Sequence, residues 1–298
     1  QKTASNLCFT LCKEGCIGYI TAKKTPILLK NTYLYPDHLR QSFVSEQFHS
    51  SSHILPLHQY STQYFFFYFK IMKHDPAFNM DARGEDVFFL SNGHIFSLFY
   101  STLARAGYFD IKELATFRKL NTRLQGHPAT HEHLPGIRIA SGSLGQGMSV
   151  AICAALAKKL NGDDRLVFSL HGDGELEEGQ IWEAMMFAAH HKVDNFIATV
   201  DWNGQQIDGP TEKVMSLGDL KAKFLSFNWE VLDLEKGNDL DQVIAALEKA
   251  KTLTGKGKPV VVLMKTAMGK GVDFMEGSHE WHGIAPNDEQ LAKALAQL

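Results

Sequence analysis

The chain has 298 residues, of which 44% are hydrophobic and 21% charged, as in an ordinary folded globular protein. Its formal net charge of −3 shows no basic bias, so we expect neither nucleic acid nor a membrane surface as a partner. The longest apolar stretch, near residues 64–69, is too short to span a bilayer, and no secretory signal precedes it. We therefore expect a cytoplasmic protein with one large domain.

The first 65 residues differ from the rest of the chain. They show few patterns of helical period and contain a cluster of Ser and His at residues 48–58. Three cysteines stand there at intervals of four: Cys8, Cys12 and Cys16. Their spacing matches no standard iron–sulfur ligand run, which favours buried or free thiols. We assign residues 1–65 to a divergent segment that joins the main domain from about residue 36, and residues 66–298 to a diphosphate-binding domain.

From Asp86 onward, short apolar runs alternate with stretches of helical spacing. The predicted strands are residues 87–91, 166–170, 196–200, 229–234 and 260–264. The predicted helices are residues 144–160, 179–191, 217–224 and 240–251. This alternation predicts an α/β fold in which helices flank a doubly wound parallel sheet.

The most informative motif, His171-Gly172-Asp173-Gly174-Glu175, follows the second predicted strand. Asn203 follows the third strand, 30 positions after Asp173 (203 − 173). Loops at the carboxyl ends of neighbouring strands meet in one crevice, so Asp173 and Asn203 can reach one ion. An aspartate between two glycines can also form only a tight turn. With the downstream Asn, however, the pattern predicts a site for a diphosphate and a divalent metal, because glycines admit phosphate oxygens and Mg²⁺ prefers oxygen ligands.

Other short motifs surround this one along the chain. They are Ser91-Asn92-Gly93-His94, Gln125-Gly126-His127-Pro128, Ser141-Gly142-Ser143-Leu144-Gly145-Gln146-Gly147, Ile207-Asp208-Gly209 and His279-Glu280-Trp281-His282-Gly283. In this order, and with the Gly-Asp-Gly segment, they resemble the thiamine-diphosphate enzymes. Within that group the chain is most similar to the amino-terminal, diphosphate-binding half of transketolase, from about residue 68 to residue 298.

The resemblance implies thiamine diphosphate and Mg²⁺ as cofactors. The implied metal ligands are Asp173, Asn203 and the main-chain carbonyl of Gln205. The implied cofactor-binding residues are Gly142, Ser143, Leu144, Gly172, Asp173, Gly174 and Asn203, of which the first three would lie beside the aminopyrimidine ring.

The resemblance also implies a set of catalytic residues: His94, His127, His282, His53, Glu178 and Glu183. The histidines match family positions that line the substrate channel, where imidazoles can exchange protons with sugar oxygens near neutral pH. The two glutamates follow the Gly-Asp-Gly motif on its helix. A solvated helix face would explain them equally well, but the family places such acids at a dimer interface that links two active sites.

Two segments depart from the family pattern. The family has a Ser-Gly-His-Pro-Gly-Gly segment where this chain has residues 51–56, which keep His53 and lose every glycine. Ile95-Phe96-Ser97-Leu98 follows His94, where the family usually has a small residue. A frameshift-like stretch, a divergent paralogue and a loss of function all stay open.

The implied activity is that of a transketolase, which moves a two-carbon ketol unit from a ketose phosphate to an aldose phosphate. Family enzymes take the Glu that activates the aminopyrimidine from a second α/β domain across a subunit interface, and these 298 residues contain no such domain. We expect the partner to be a carboxy-terminal transketolase subunit, with homodimers or heterotetramers, unless a longer chain supplies that half. The alternatives are another thiamine-diphosphate enzyme component, of synthase or 2-oxo acid dehydrogenase type, and a non-catalytic paralogue.

Overall fold

The computed structural model describes residues 66–297 of the chain. His53 and the cysteines Cys8, Cys12 and Cys16 lie outside these residues. The boundary drawn after residue 65 therefore stays a prediction.

A five-stranded parallel sheet lies at the centre of the described residues. In chain order the strands are β1 (Val87–Leu90), β2 (Val167–Gly172), β3 (Phe196–Trp202), β4 (Gln205–Gln206), β5 (Gly209–Pro210), β6 (Glu230–Leu234) and β7 (Val260–Lys265). The sheet has the order β1-β2-β3-β7-β6, while β4 and β5 pair as a separate antiparallel ribbon. All five predicted strands are confirmed, with ends that shift by at most two residues.

The helices are α1 (Phe96–Arg105), α2 (Gln146–Leu160), α3 (Gly179–His190), α4 (Thr211–Val214), α5 (Leu220–Ser226), α6 (Leu240–Leu253) and α7 (Asp288–Leu295). A π-helical turn at Phe67–Ile71 and 3₁₀ turns at Ile111–Thr116, Thr130–Glu132, Gly174–Glu177 and His279–Trp281 complete the regular structure of residues 66–297. The sequence patterns predict α2, α3, α5 and α6 but miss the two longer helices α1 and α7 as well as the four-residue α4.

The sequence patterns miss the two longer helices, α1 and α7, for different physical reasons. Eight of the ten residues of α1 are buried, so its polar stripe is narrow, with Ser97, Ser101 and Arg105 at intervals of four, and its aromatic, Ser and Thr residues have modest helix propensity. Helix α7 begins with a capping box in which Asn287 and Gln290 satisfy each other's backbone N–H groups. That pair is a sequence signal that could have located α7.

Helices cover both faces of the sheet. On one face, strand residues such as Phe88, Phe168 and Val262 form a buried cluster with α1 and α6. On the other face, residues such as Phe196 and Leu263 pack against α2, α3 and α5. Because both faces are buried, β1, β2, β3 and β7 are largely apolar, whereas the edge strand β6 is only half-buried. The doubly wound α/β fold expected from the sequence is confirmed.

The strand order determines where the polar loops meet. Strands β1, β2 and β3 are adjacent, so the loops after their carboxyl ends lie side by side. Within residues 66–297, no helix is both long enough and apolar enough to cross a membrane.

Candidate active site

Asp173 joins the loops that follow β2 and β3. Gly172 on β2 is in register with Asp201 on β3, and the Asp173 amide donates to the Asp201 carbonyl at 3.1 Å. The Asp173 side chain is 1% exposed. Its Oδ2 accepts from the Gly204 amide at 2.6 Å and its Oδ1 from the Gly174 amide at 2.9 Å. The spacing in the sequence therefore does bring Asp173 beside the loop of Asn203.

Asp201 and Thr266 orient the Asn203 amide, and the sequence reasoning missed both. Asn203 donates from Nδ2 to Asp201 Oδ2 at 2.8 Å, while its Oδ1 accepts from the Gln205 amide at 2.8 Å. Asp201 Oδ1 accepts from the Thr266 hydroxyl at 2.6 Å. These contacts direct the Asn203 amide oxygen toward the loop. Asp201 has a sequence signal, an acid two residues before the candidate ligand, but Thr266 is too distant along the chain to show one.

The buried carboxylates make this part of the site favour a positive charge. Burial raises the pKa of Asp173 to about 7, and the Asp201 carboxylate adds to the rise while the Gly204 and Gly174 amides oppose it. Burial also raises the pKa of Asp201 to about 6, against the donors Thr266 and Asn203. Within the described part of the chain, no group of three or more His, Cys, Asp and Glu side chains is arranged to hold a metal. The donor set here is instead one carboxylate with amide and carbonyl oxygens, which fits a hard cation such as Mg²⁺.

Gly142 lies against the ring of His127. Its φ of +115° is in the region that favours glycine, and a Cβ there would lie 2.3 Å from His127 Cδ2. A Cβ on Gly93, which has a φ of +67°, would lie 2.5 Å from the Gly142 amide nitrogen. Ser143 and Leu144 follow on the same loop and are exposed. The loop predicted to face the cofactor ring therefore packs directly on a predicted catalytic histidine.

Glu175 connects three loops, and the sequence reasoning assigned it no role. Its carboxylate accepts from the Ser91 hydroxyl at 2.5 Å, from the Gly145 amide at 3.0 Å and from the Gly172 amide at 3.3 Å. Burial alone would raise the pKa of Glu175, but His171 and these donors hold it below its ordinary value. The end of β1, the start of α2 and the Gly-Asp-Gly loop are thus fixed to one buried anion.

Three of the predicted catalytic histidines converge. The ring centroids of His94 and His127 are 5.1 Å apart, and the rings meet edge to face. Burial, then His94 and then Arg118, lower the pKa of His127. Burial, then His94 and then His279, lower the pKa of His282. The Nδ1 of His282 is buried without a hydrogen-bond partner among residues 66–297. His127 and His282 are therefore neutral near pH 7 and able to accept a proton.

An aromatic wall supports this cluster. Phe96 packs against His127 with ring centroids 5.6 Å apart, and Phe117 stacks on Phe96 at 5.6 Å. Phe96 belongs to the segment after His94 that departs from the family pattern. In this chain Phe96, where the family usually has a small residue, fills the space behind the ring of His127.

Glu178 and Glu183 belong to the start of α3. Glu178 precedes α3, Glu183 lies on it, and both are exposed. Met186 on the same helix is 54% exposed. This placement leaves the two acids accessible to another chain, and their interfacial role stays a prediction.

The chain is similar in sequence to a known protein family. The family model described as "Transketolase, thiamine diphosphate binding domain" matches residues 59–298. The chain is 38% identical over 231 residues to the 6-deoxy-6-sulfo-D-fructose transketolase subunit SqwG of Clostridium sp. (strain MSTE9), covering 78% of this chain and 82% of that protein. It is 37% identical over 231 residues to one subunit of the apulose-4-phosphate transketolase of Actinobacillus succinogenes, with the same two coverages.

Solved structures agree with the sequence relatives. The transketolase from Leishmania mexicana superposes with a TM-score of 0.71 at 29% identity, over 77% of this chain and 35% of that one. The described fold thus corresponds to about a third of the length of that solved chain. This chain belongs to the transketolase family and carries its thiamine diphosphate-binding domain.

Proposed function

We propose that this chain is the amino-terminal subunit of a transketolase, which moves a two-carbon ketol unit from a ketose phosphate to an aldose phosphate with thiamine diphosphate and Mg²⁺. The observation that carries the proposal is the arrangement of the site. The Asp173–Asn203 loops and the cluster of His94, His127 and His282 are connected through Gly142 and Glu175 at one edge of one sheet. The substrates named for the two relatives, a sulfo-sugar and a sugar phosphate, support an acidic sugar as the substrate class.

Asp173, Asn203 and the main-chain carbonyl of Gln205 would hold the Mg²⁺ ion in this proposal. Gly172 and Gly174 would let the backbone approach the diphosphate, because neither carries a side chain. Gly142, Ser143 and Leu144 would border the aminopyrimidine ring. Bound thiamine diphosphate supplies the carbon nucleophile and the electron sink that the protein lacks.

The histidines would move protons at the sugar oxygens. A neutral imidazole can take a proton from a donor hydroxyl and return it to the acceptor oxygen, and lowered pKa values keep His127 and His282 neutral near pH 7. The hydrogen bond between His94 Nδ1 and the Asn92 carbonyl fixes the ring of His94. It directs the other ring nitrogen of His94 away from the backbone.

A second subunit would complete the site. The two relatives of which this chain covers 82% are both named as subunits. The exposed face of α3, which carries Glu183 and Met186, would contact another copy of the chain or the carboxy-terminal subunit. Homodimers or heterotetramers follow from that contact.

Reconstitution tests the proposal. The purified chain is assayed with xylulose 5-phosphate and ribose 5-phosphate, alone and with a carboxy-terminal transketolase subunit, in the presence of thiamine diphosphate and Mg²⁺. We expect ketol transfer only when both subunits are present. Full activity of the chain alone contradicts the partner requirement, and turnover with pyruvate in place of xylulose 5-phosphate would indicate a 2-oxo acid enzyme instead.

A further inference from the structure

The imidazole ring of His127 is held by packing alone. Among residues 66–297, no hydrogen bond reaches either ring nitrogen of His127. His94 differs, because a hydrogen bond to the Asn92 carbonyl fixes its ring. His127 lies in a loop and is exposed. Such a ring can turn about its last side-chain bond, which has only a weak intrinsic preference, unless its neighbours restrict it.

Three neighbours restrict the ring of His127. The Gly142 backbone lies so close that a Cβ there would be 2.3 Å from His127 Cδ2. His94 meets the ring edge to face. Phe96 packs on it with the ring centroids 5.6 Å apart and an angle of 53° between the ring planes. Gly142 offers only backbone and His94 is itself exposed, so of these three only Phe96 contributes a buried side chain.

Phe96 is itself immobilised by two further rings. Phe117 stacks on it with centroids 5.6 Å apart, and Tyr100 packs on it at 6.4 Å. Tyr100 and Phe117 also contact each other, at 6.3 Å. Aromatic pairs at these separations attract one another beyond the burial of their surface. The ring that supports His127 is therefore fixed in the core.

The start of α1 connects two of the predicted catalytic histidines. His94 directly precedes Ile95, the residue at which α1 is capped, and Phe96 is the first residue of the helix. A small residue at position 96, as the family usually has, would leave that side of the His127 ring uncovered. The departure from the family pattern thus lies where it can affect His127.

We propose that Phe96 is a positioning residue, which holds the His127 imidazole in the orientation that accepts a proton from the sugar. The inference rests on the proposed function, since it requires His127 to exchange protons with a substrate. A misplacement of about 1 Å in a reacting group can cost about 100-fold in rate. A rigid apolar contact prevents such a displacement without offering the imidazole a competing hydrogen bond.

The His127 imidazole signal, followed by NMR against pH, reports the contact without any turnover. A His127→Gln variant assigns the signal. Burial, then His94 and then Arg118, lower the pKa of His127. Because Phe96→Leu admits water beside the ring and leaves both charged neighbours in place, we expect it to raise that pKa.

Phe99→Leu is the matched control. Phe99 lies on the same helix and is 5% exposed, against 6% for Phe96. It packs against Phe88 at 5.7 Å and Tyr68 at 6.4 Å, away from His127. Urea unfolding should show similar losses of stability in the two variants, and the His127 signal should change only in Phe96→Leu. Phe96→Met, which retains more of the side-chain volume, should give a smaller change.

A double-mutant cycle in the reconstituted two-subunit assay tests whether Phe96 acts through His127. We expect Phe96→Leu to lower kcat by about 10- to 100-fold in the wild-type background, because the imidazole loses its orientation. It should have little effect in the His127→Gln background, since residues that act as a unit are not additive.

Three outcomes overturn the proposal: an unchanged His127 signal in Phe96→Leu, an equal change in Phe99→Leu, or the same loss of kcat in both backgrounds. Failure of the proposed function would differ from these, because the wild-type complex would then show no ketol transfer. The His127 signal, which needs no turnover, would in that case still decide whether Phe96 holds the ring.

Discussion

In the proposed mechanism, the residues that transfer protons are different from the residues that bind the cofactor. His94 lies edge to face with His127 and acts electrostatically on His282, and none of the three forms a hydrogen bond with Asp173 or Asn203 in the described residues. We therefore predict that His94→Ala and His282→Ala lower kcat by about 100- to 10,000-fold, the usual contribution of a positioned acid or base. Cofactor affinity should change little.

The matched control for this prediction is His131→Ala. His131 has a side chain that is 79% exposed and pairs only with the adjacent Glu132, so its loss should leave kcat unchanged. The measurement is the steady-state rate in the reconstituted two-subunit assay, with cofactor affinity determined separately. Wild-type rates for both histidine variants would remove the cluster from the reaction.

Residue by residue, the sequence reveals the candidate ligands better than the groups that orient them. Asp173 and Asn203 follow from a motif and a spacing. Thr266 hydrogen-bonds Asp201 across 65 positions of sequence, and Glu175 reaches Ser91 across 84. Such contacts depend on which strands become neighbours, so they could not be predicted before the strand order was known.

At the level of elements, Glu175 fixes the ends of β1 and β2 and the start of α2 to one another. We predict that Glu175→Ala lowers the free energy of unfolding by at least about 2 kcal/mol, because it leaves the buried donors of Ser91, Gly145 and Gly172 without their acceptor. Urea unfolding measures the change. As a control, Glu235→Ala removes an exposed pair with Lys265, which should cost no more than about 1 kcal/mol. Equal stability of the two variants would show that Glu175 does not hold these elements together.

The elements themselves divide by how clearly their pattern reflects burial. Buried parallel strands are short apolar runs, so β1, β2, β3 and β7 follow directly from the sequence. The half-buried edge strand β6 was also predicted. Helix α1 is buried on nearly every side, so few polar residues mark its helical period. Its position depends on packing between the sheet and the loop of residues 111–117, which no local pattern contains.

For the whole molecule, exposed apolar residues on two neighbouring helices lead us to expect assembly with another chain. Met186 is 54% exposed and Val150 is 41% exposed on the neighbouring helices α3 and α2, and stable subunit interfaces bury such groups over about 2,000 Å² or more. We predict that Met186→Asp weakens self-association or binding of the carboxy-terminal subunit. Light scattering after size exclusion measures the mass of the assembly.

Leu160→Asp is the control for this prediction. Leu160 is 86% exposed at the last residue of α2, at the far end from the loops of the site. Its substitution should leave the mass unchanged. A monomeric wild-type chain that also fails to bind a carboxy-terminal subunit would contradict the predicted interface.

The central claim is that the Asp173–Asn203 loops bind thiamine diphosphate through a divalent cation, and calorimetric titration tests it most directly. Thiamine diphosphate is titrated into the chain, once with Mg²⁺ and once with a chelator, and each titration is repeated with the carboxy-terminal subunit. The same titrations are made with Asp173→Ala, with Asn203→Ala and with the remote surface variant Asp164→Ala. We predict saturable binding that requires Mg²⁺, is abolished in the first two variants and is unchanged in the third, because only the first two remove an oxygen ligand. Wild-type affinity in Asp173→Ala and Asn203→Ala, with unchanged circular dichroism, or equal binding in the presence of the chelator, would contradict the account.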